Sequence, residues 1–185
     1  MPKLTAEIKK QIKGLSRADL EQIVLKCAGR DKYWFEYIYV HFLNPEYGEQ
    51  DIFEDYKLGL DKLSQKSFPG RRESMRLTRL LRASNTLIGQ FQRIVKKPHL
   101  AVELYLYALD IHFEISPSHL GGHYQVYDNN IARTVKKVIA LIRDKLHDDY
   151  LLEYSGKING YLLTLHRLAP FNPVVRELPR QVHHS

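Results

Sequence analysis

The chain has a single cysteine, Cys27, so no internal disulfide can form. It falls on the apolar side of a helical pattern and reads as a small buried hydrophobe. A reactive thiol needs a neighbouring base, and none can be placed beside it. Long hydrophobic runs are missing as well. The two longest apolar stretches, 33–43 and 100–115, are interrupted by Glu36 and His41, and by Glu103, Asp110, His112 and Glu114. Neither approaches the roughly 18 apolar residues that a membrane span requires. The opening residues carry Lys3, Lys9, Lys10 and Lys13 with no apolar stretch among them, unlike a secretory leader. A reducing cytoplasm is the expected compartment, with no membrane among the partners. Phosphate loops are absent too, Gly121-Gly122 being a bare dipeptide with no Lys-Ser/Thr after it. There is no Gly-x-Ser-x-Gly nucleophile turn and no His-Glu-x-x-His zinc helix. The sequence therefore implies no cofactor and leans away from an enzyme.

What is present is an ordinary globular composition. The 185 residues are 44% hydrophobic and 26% charged, enough apolar area to order one domain. Punctuation divides the chain into about eight helical segments. Leu4, Ile8 and Ile12 share one face ahead of Gly14, which reads as a left-handed helix end. Ser16 with Asp19 forms a variant capping box before Leu20, Ile23, Val24 and Cys27. Segments 33–43 and 100–115 are apolar on nearly every side, which predicts two central helices. Ile52, Phe53, Tyr56, Leu60 and Leu63 mark another helix, and 71–96 is the longest pattern. After the irregular stretch 116–127, Asp128 reads as the cap of a helix through Leu146. A last helix covers 150–168, where Gly156 and Gly160, four apart, suggest close helix packing. The expected fold is all-α, with neighbours antiparallel, as a bundle or as stacked helical hairpins. It would fill residues 1–169, followed by an extended Pro-containing tail at 170–185 that docks through Phe171, Val174 and Val175.

Residues 14–45 carry Leu15, Ser16, Leu20, Ile23 and, at a different spacing, Leu25, followed by the aromatic run from Tyr33. This segment resembles the opening of an uncharacterised bacterial family of small all-helical proteins. Its members share a Leu-Ser-x-x-x-Leu-x-x-Ile-x-x-Leu signature ahead of an aromatic helix. The resemblance implies a helical fold and no activity.

Charge is the most organised polar feature. The net charge is +7. Residues 71–100 hold eight basic side chains against Glu73 alone, while 101–128 hold four acidic residues and no Lys or Arg. On a wheel at roughly 100° per residue, the eight cations fall in one arc opposite Leu77, Leu80, Leu87, Ile88 and Phe91. Arg72, Arg76, Arg79, Arg82, Arg93 and Lys97 are thus candidate anion-binding residues for nucleic acid or an acidic protein. The competing reading pairs them internally with the acidic segments 46–66 and 101–115. An alternative function is a small metal-dependent enzyme near the 112–128 loop. His112, His119 and His123 would be its candidate ligands, although their spacing matches no metal motif. Finally, six of the twenty aromatics lie within 33–42. They would form a partner-binding surface if Trp34 and its neighbours were exposed. The leading expectation is a helical interaction module of undetermined oligomeric state.

Overall fold

A computed structural model describes residues 4–115, 117–122 and 125–183. The chain is all-α, with nine α-helices and no strand among the described residues. It separates into two compact units, Met1–Glu49 and Gln50–Ser185, where the sequence suggested one domain over 1–169 followed by an extended tail.

In the first unit, α1 (Ala6–Lys13) starts at Thr5, whose hydroxyl accepts the Ile8 N–H at 3.3 Å. Gly14 ends it at φ −90°, not in the left-handed region, with its N–H bonded to the carbonyls of Lys10 and Gln11. α2 (Arg17–Arg30) begins at the expected capping pair. Ser16 Oγ accepts the Asp19 N–H at 3.1 Å and donates to the Asp19 carboxylate at 2.6 Å. Asp31 caps α3 (Lys32–Ile38), which continues as a π-turn, Tyr39–Leu43.

This aromatic helix is not central, contrary to its composition. Trp34, Phe35, Phe42 and Leu43 are all exposed, while only Glu36 and Val40 are buried along it. Its rings instead pile on one another along the helix, Tyr33 on Tyr37 and Phe35 on Tyr39 at 6.2 and 6.1 Å. Residues four apart share a face, so each ring covers part of the next along the helix.

The second unit holds the core. After α4 (Gly48–Ser64), which begins at the end of the first unit, come α5 (Glu73–Ile94) and α6 (Pro98–Ile115). α7 (Gln125–Lys145), α8 (Asp148–Leu168) and the short α9 (Pro173–Arg176) follow. α5 packs on α6 across residues 95–97, and α7 on α8 across 146–147, so each pair is a helical hairpin. α6 is the buried centre that its sequence predicts, with Val102, Leu104, Tyr105 and Leu109 fully enclosed. Gly156 and Gly160 do not mark close packing, since a Cβ at either would meet nothing within 4 Å.

The C-terminal segment is docked, though not through Phe171, which is 88% exposed. Val175, Leu178 and Val182 are the buried anchors. Asn159 on α8 brackets Val182 with two bonds, donating to its carbonyl at 3.2 Å and accepting its N–H at 2.8 Å. Those bonds hold extended backbone that has no helical partner of its own.

Candidate functional site

Three places test the sequence-derived sites. The first is α5. Only Arg76, Arg79, Arg82 and Arg93 of the candidate cations stand on this helix. Arg72 is its N-cap residue, and Lys97 lies in the connector to α6. Two of the four are engaged close to home. Arg76 donates from Nε to the Gly70 carbonyl at 3.2 Å and sits 3.4 Å from Glu73, and Arg79 donates to the Pro69 carbonyl. They fasten the 69–70 connector to the first turns of the helix. Arg82 and Arg93 are exposed and form no ion pair among the described residues.

Several of the acidic groups expected to neutralise this stripe are spoken for elsewhere. The Asp61 carboxylate accepts the Tyr107 hydroxyl. Asp110 pairs with Lys157 of α8 at 2.6 Å and accepts the Tyr161 hydroxyl, while Glu103 accepts the Tyr154 hydroxyl at 3.4 Å. These bonds hold the phenols protonated. The Asp61 bond pushes Tyr107 up to about 12. Burial first, then Asp110, raises Tyr161, and burial first, then Glu103, raises Tyr154. The acidic side of α6 therefore serves the α6–α8 seam.

The second place is the 112–128 region. His112 is 2% exposed, and its Nδ1 lies 3.1 Å from the Tyr127 hydroxyl. Burial lowers its pKa to about 4, which keeps it neutral. His119 is exposed, and His123 lies outside the described residues. Among the described residues no group of three His, Cys, Asp or Glu side chains could hold a metal ion. His112 and His119 thus belong to no such group among the described residues.

The same region borders a cavity of about 320 Å³. On one wall is Gly121, at φ +76°, where a Cβ would stand 1.8 Å from the Leu168 carbonyl oxygen. That contact seats the glycine loop on the end of α8. On another wall is Asp128. It is not an N-cap, because α7 starts at Gln125 and places it in the first turn. Its Oδ2 accepts the Gly121 N–H at 3.1 Å. Burial raises its pKa to about 6, against the lowering effect of that bond. Across the cavity Asn172 caps α9, its Oδ1 accepting the N–H groups of Val174 and Val175 at 2.9 and 3.3 Å. Asn172-Pro173 is a legible helix start in sequence, a capping residue before proline at the first position. Nothing local in the sequence brings it to Asp128.

The third place is the surface of the first unit. Eighteen large apolar side chains are exposed among the described residues, and thirteen of them lie between Leu4 and Tyr47. α1 and α2 bury no residue at all. Trp34 is 44% exposed, the condition under which the aromatic run becomes a surface. No helix of the described residues is long and apolar enough to cross a membrane. Comparison with family models, with curated proteins and with solved structures finds no match to this chain.

Proposed function

We propose that this chain is a helical interaction module, and that the apolar surface of its first unit takes a second copy of the chain. The observation that carries the reading is the concentration of exposed large apolar side chains in 4–47. Clustered exposure of this kind marks association surfaces. Charge favours a copy over a polyionic partner, since residues 1–49 hold eight basic and seven acidic side chains. Within α2 the pattern is self-complementary in the antiparallel sense. Leu20, Ile23, Val24 and Cys27 form a seam with its centre between Ile23 and Val24. A two-fold axis there sets Leu20 opposite Cys27, Ile23 opposite Val24, and Glu21 opposite Lys26 of the copy.

Disulfide trapping tests this register. Leu20→Cys should crosslink to Cys27 of a second copy under mild oxidation. The unsubstituted chain should not, nor should Leu20→Cys/Cys27→Ser, because like positions stand seven residues, or about 10 Å, apart along the helix. Ile23→Asp should sediment as a 21.7 kDa monomer with its helical signal kept. A chain that is monomeric at about 100 µM and forms no crosslink would overturn the reading.

A second reading, an acidic protein or nucleic acid on α5, is favoured by the exposure of Arg82 and Arg93. With Arg76 and Arg79 engaged at the connector, two cations remain as free contacts. The slope of log K against log salt on duplex should then be about −2, at roughly −0.9 per phosphate. Arg82→Gln/Arg93→Gln should remove nearly all of it. No measurable binding at low salt ends this reading for nucleic acid.

A further inference from the structure

The glycine loop is independent of either reading, and its fastening rests on one acid. Asp128 is 1% exposed, and its Oδ2 accepts the Gly121 N–H at 3.1 Å. Its Oδ1 is sealed in the protein with no hydrogen-bond partner. Among the described residues no Lys, Arg or His forms an ion pair with this carboxylate. Gly121 is gripped from a second side by α8, where a Cβ would stand 1.8 Å from the Leu168 carbonyl oxygen. The loop is therefore held between a carboxylate on α7 and main chain at the end of α8. Gly121, Asp128 and Leu168 all line the cavity of about 320 Å³, so the loop is part of its wall.

The protonation state of Asp128 decides how well that wall is held. One N–H returns only part of the hydration that an ionised carboxylate gives up on burial, and an enclosed charge without a counter-ion is costly. The neutral acid gives up far less, and its carbonyl oxygen still accepts the Gly121 N–H. Burial therefore favours the proton and outweighs the loop bond, which favours the ion. The surrounding groups leave that balance alone. Tyr127 on α7 and His112 on α6 are 3.1 Å apart, and burial keeps both uncharged at neutral pH. His119, ahead of the loop, is exposed. α8 contributes Arg167, which lines the cavity but is exposed and has no ion pair among the described residues. α9 contributes the uncharged Asn172, the exposed Arg176, and Glu177, which pairs with Lys136 two turns along α7.

We propose that Asp128 is a proton-operated latch on the glycine loop: the neutral acid keeps Gly121 seated against α8, and loss of its proton makes the loop lift far more often, opening the cavity wall at neutral pH and shutting it in mild acid. In the lifted state the carboxylate is hydrated and titrates at its ordinary 3.8, against about 6 when seated. The lifted population then grows about fiftyfold from pH 4 to pH 7. His112 stays enclosed within α6 during this movement, which separates it from global unfolding.

Hydrogen exchange of the Gly121 amide, read by NMR from pH 4 to pH 7 and corrected for the intrinsic pH dependence of exchange, tests the latch. Protection of Gly121 should fall about fiftyfold over that range. The amides of Val102 and Leu104 on α6 report global opening in the same sample and should follow a different course. The Asp128 carboxyl resonance should titrate near 6, and Gly121 protection should level off above that pH. Asp128→Asn keeps an oxygen for the Gly121 N–H and removes the charge. Its Gly121 should be as protected at pH 7 as that of the unsubstituted chain at pH 4, with no slope between. If this variant fails to fold, the carboxyl titration and the two sets of amides in the unsubstituted chain decide alone. The proposal is overturned by Gly121 protection that ignores pH or that merely tracks α6. It is equally overturned by an Asp128 carboxyl that titrates at 3.8, or by a slope that persists in Asp128→Asn.

Discussion

Asp128 and His112 have opposite responses to acid. His112 is held near 4, below its ordinary 6.5, by burial. Between those values the unfolded chain takes up a proton there and the folded chain does not, so stability falls as pH drops from 6.5 to 4. Asp128 is held near 6, above its ordinary 3.8. Between 3.8 and 6 the folded chain binds the extra proton, so stability rises as pH drops through that window. Each shift of about 2 to 2.5 units corresponds to about 3 kcal/mol, and across pH 4–6 the two largely offset one another. Asp128→Asn should expose the histidine alone. Its stability relative to the unsubstituted chain should climb by about 3 kcal/mol from pH 4 to pH 6. Urea unfolding at intervals of half a pH unit measures this, and a difference curve without slope would refute it.

At the scale of elements, α6 and the aromatic helix look alike in sequence and behave differently. Both are apolar nearly all round. α6 lies against α5 and α7, whereas 33–43 turns Trp34, Phe35 and Phe42 outward. Leu104→Asp should therefore cost on the order of 3 kcal/mol or more, as an unpaired buried charge does. Phe42→Asp, at a side chain 69% exposed, should change monomer stability by no more than about 0.5 kcal/mol. Chemical denaturation of the two variants under one buffer makes the comparison, and equal losses would reject it. The contrast also marks what sequence could tell. Helix existence was legible from spacing and from caps such as Ser16, because both are local. Central burial was not, since a local pattern states that a face is apolar and not whether another element reaches it. The cavity shows the same division. Its glycine loop was legible as an irregular stretch, but Asp128 comes to line one cavity with Asn172 only through the docking of α9, forty-four residues on.

At the scale of the molecule, order should divide with burial. α1 is eight residues long and buries nothing, and isolated helices shorter than about 12 residues are marginal in water. Its amides should exchange with solvent close to unfolded rates. Those of α6 should exchange only through global opening of the second unit. Hydrogen exchange read by mass spectrometry distinguishes them, and α1 protected to the level of α6 would contradict the assignment. α2 should gain protection as protein concentration rises if a second copy covers it. The charge divides as well. The first unit is nearly neutral, and the second holds twenty basic and fourteen acidic residues. Salt should therefore act on interactions of the second unit and leave pairing through α2 nearly unchanged.

The seat of Gly121 also bears on how this chain can drift under mutation. The obstacle to any side chain there is a main-chain carbonyl at the end of α8, not a neighbouring side chain that could turn away. A change of rotamer cannot clear it, so no second substitution nearby can rescue a first one at this codon. Phe171, by contrast, is open to almost any replacement as far as folding is concerned. A lineage that kept both residues would hold the first because the loop cannot close without it. It would hold the second only while something outside the protein rewarded its presence.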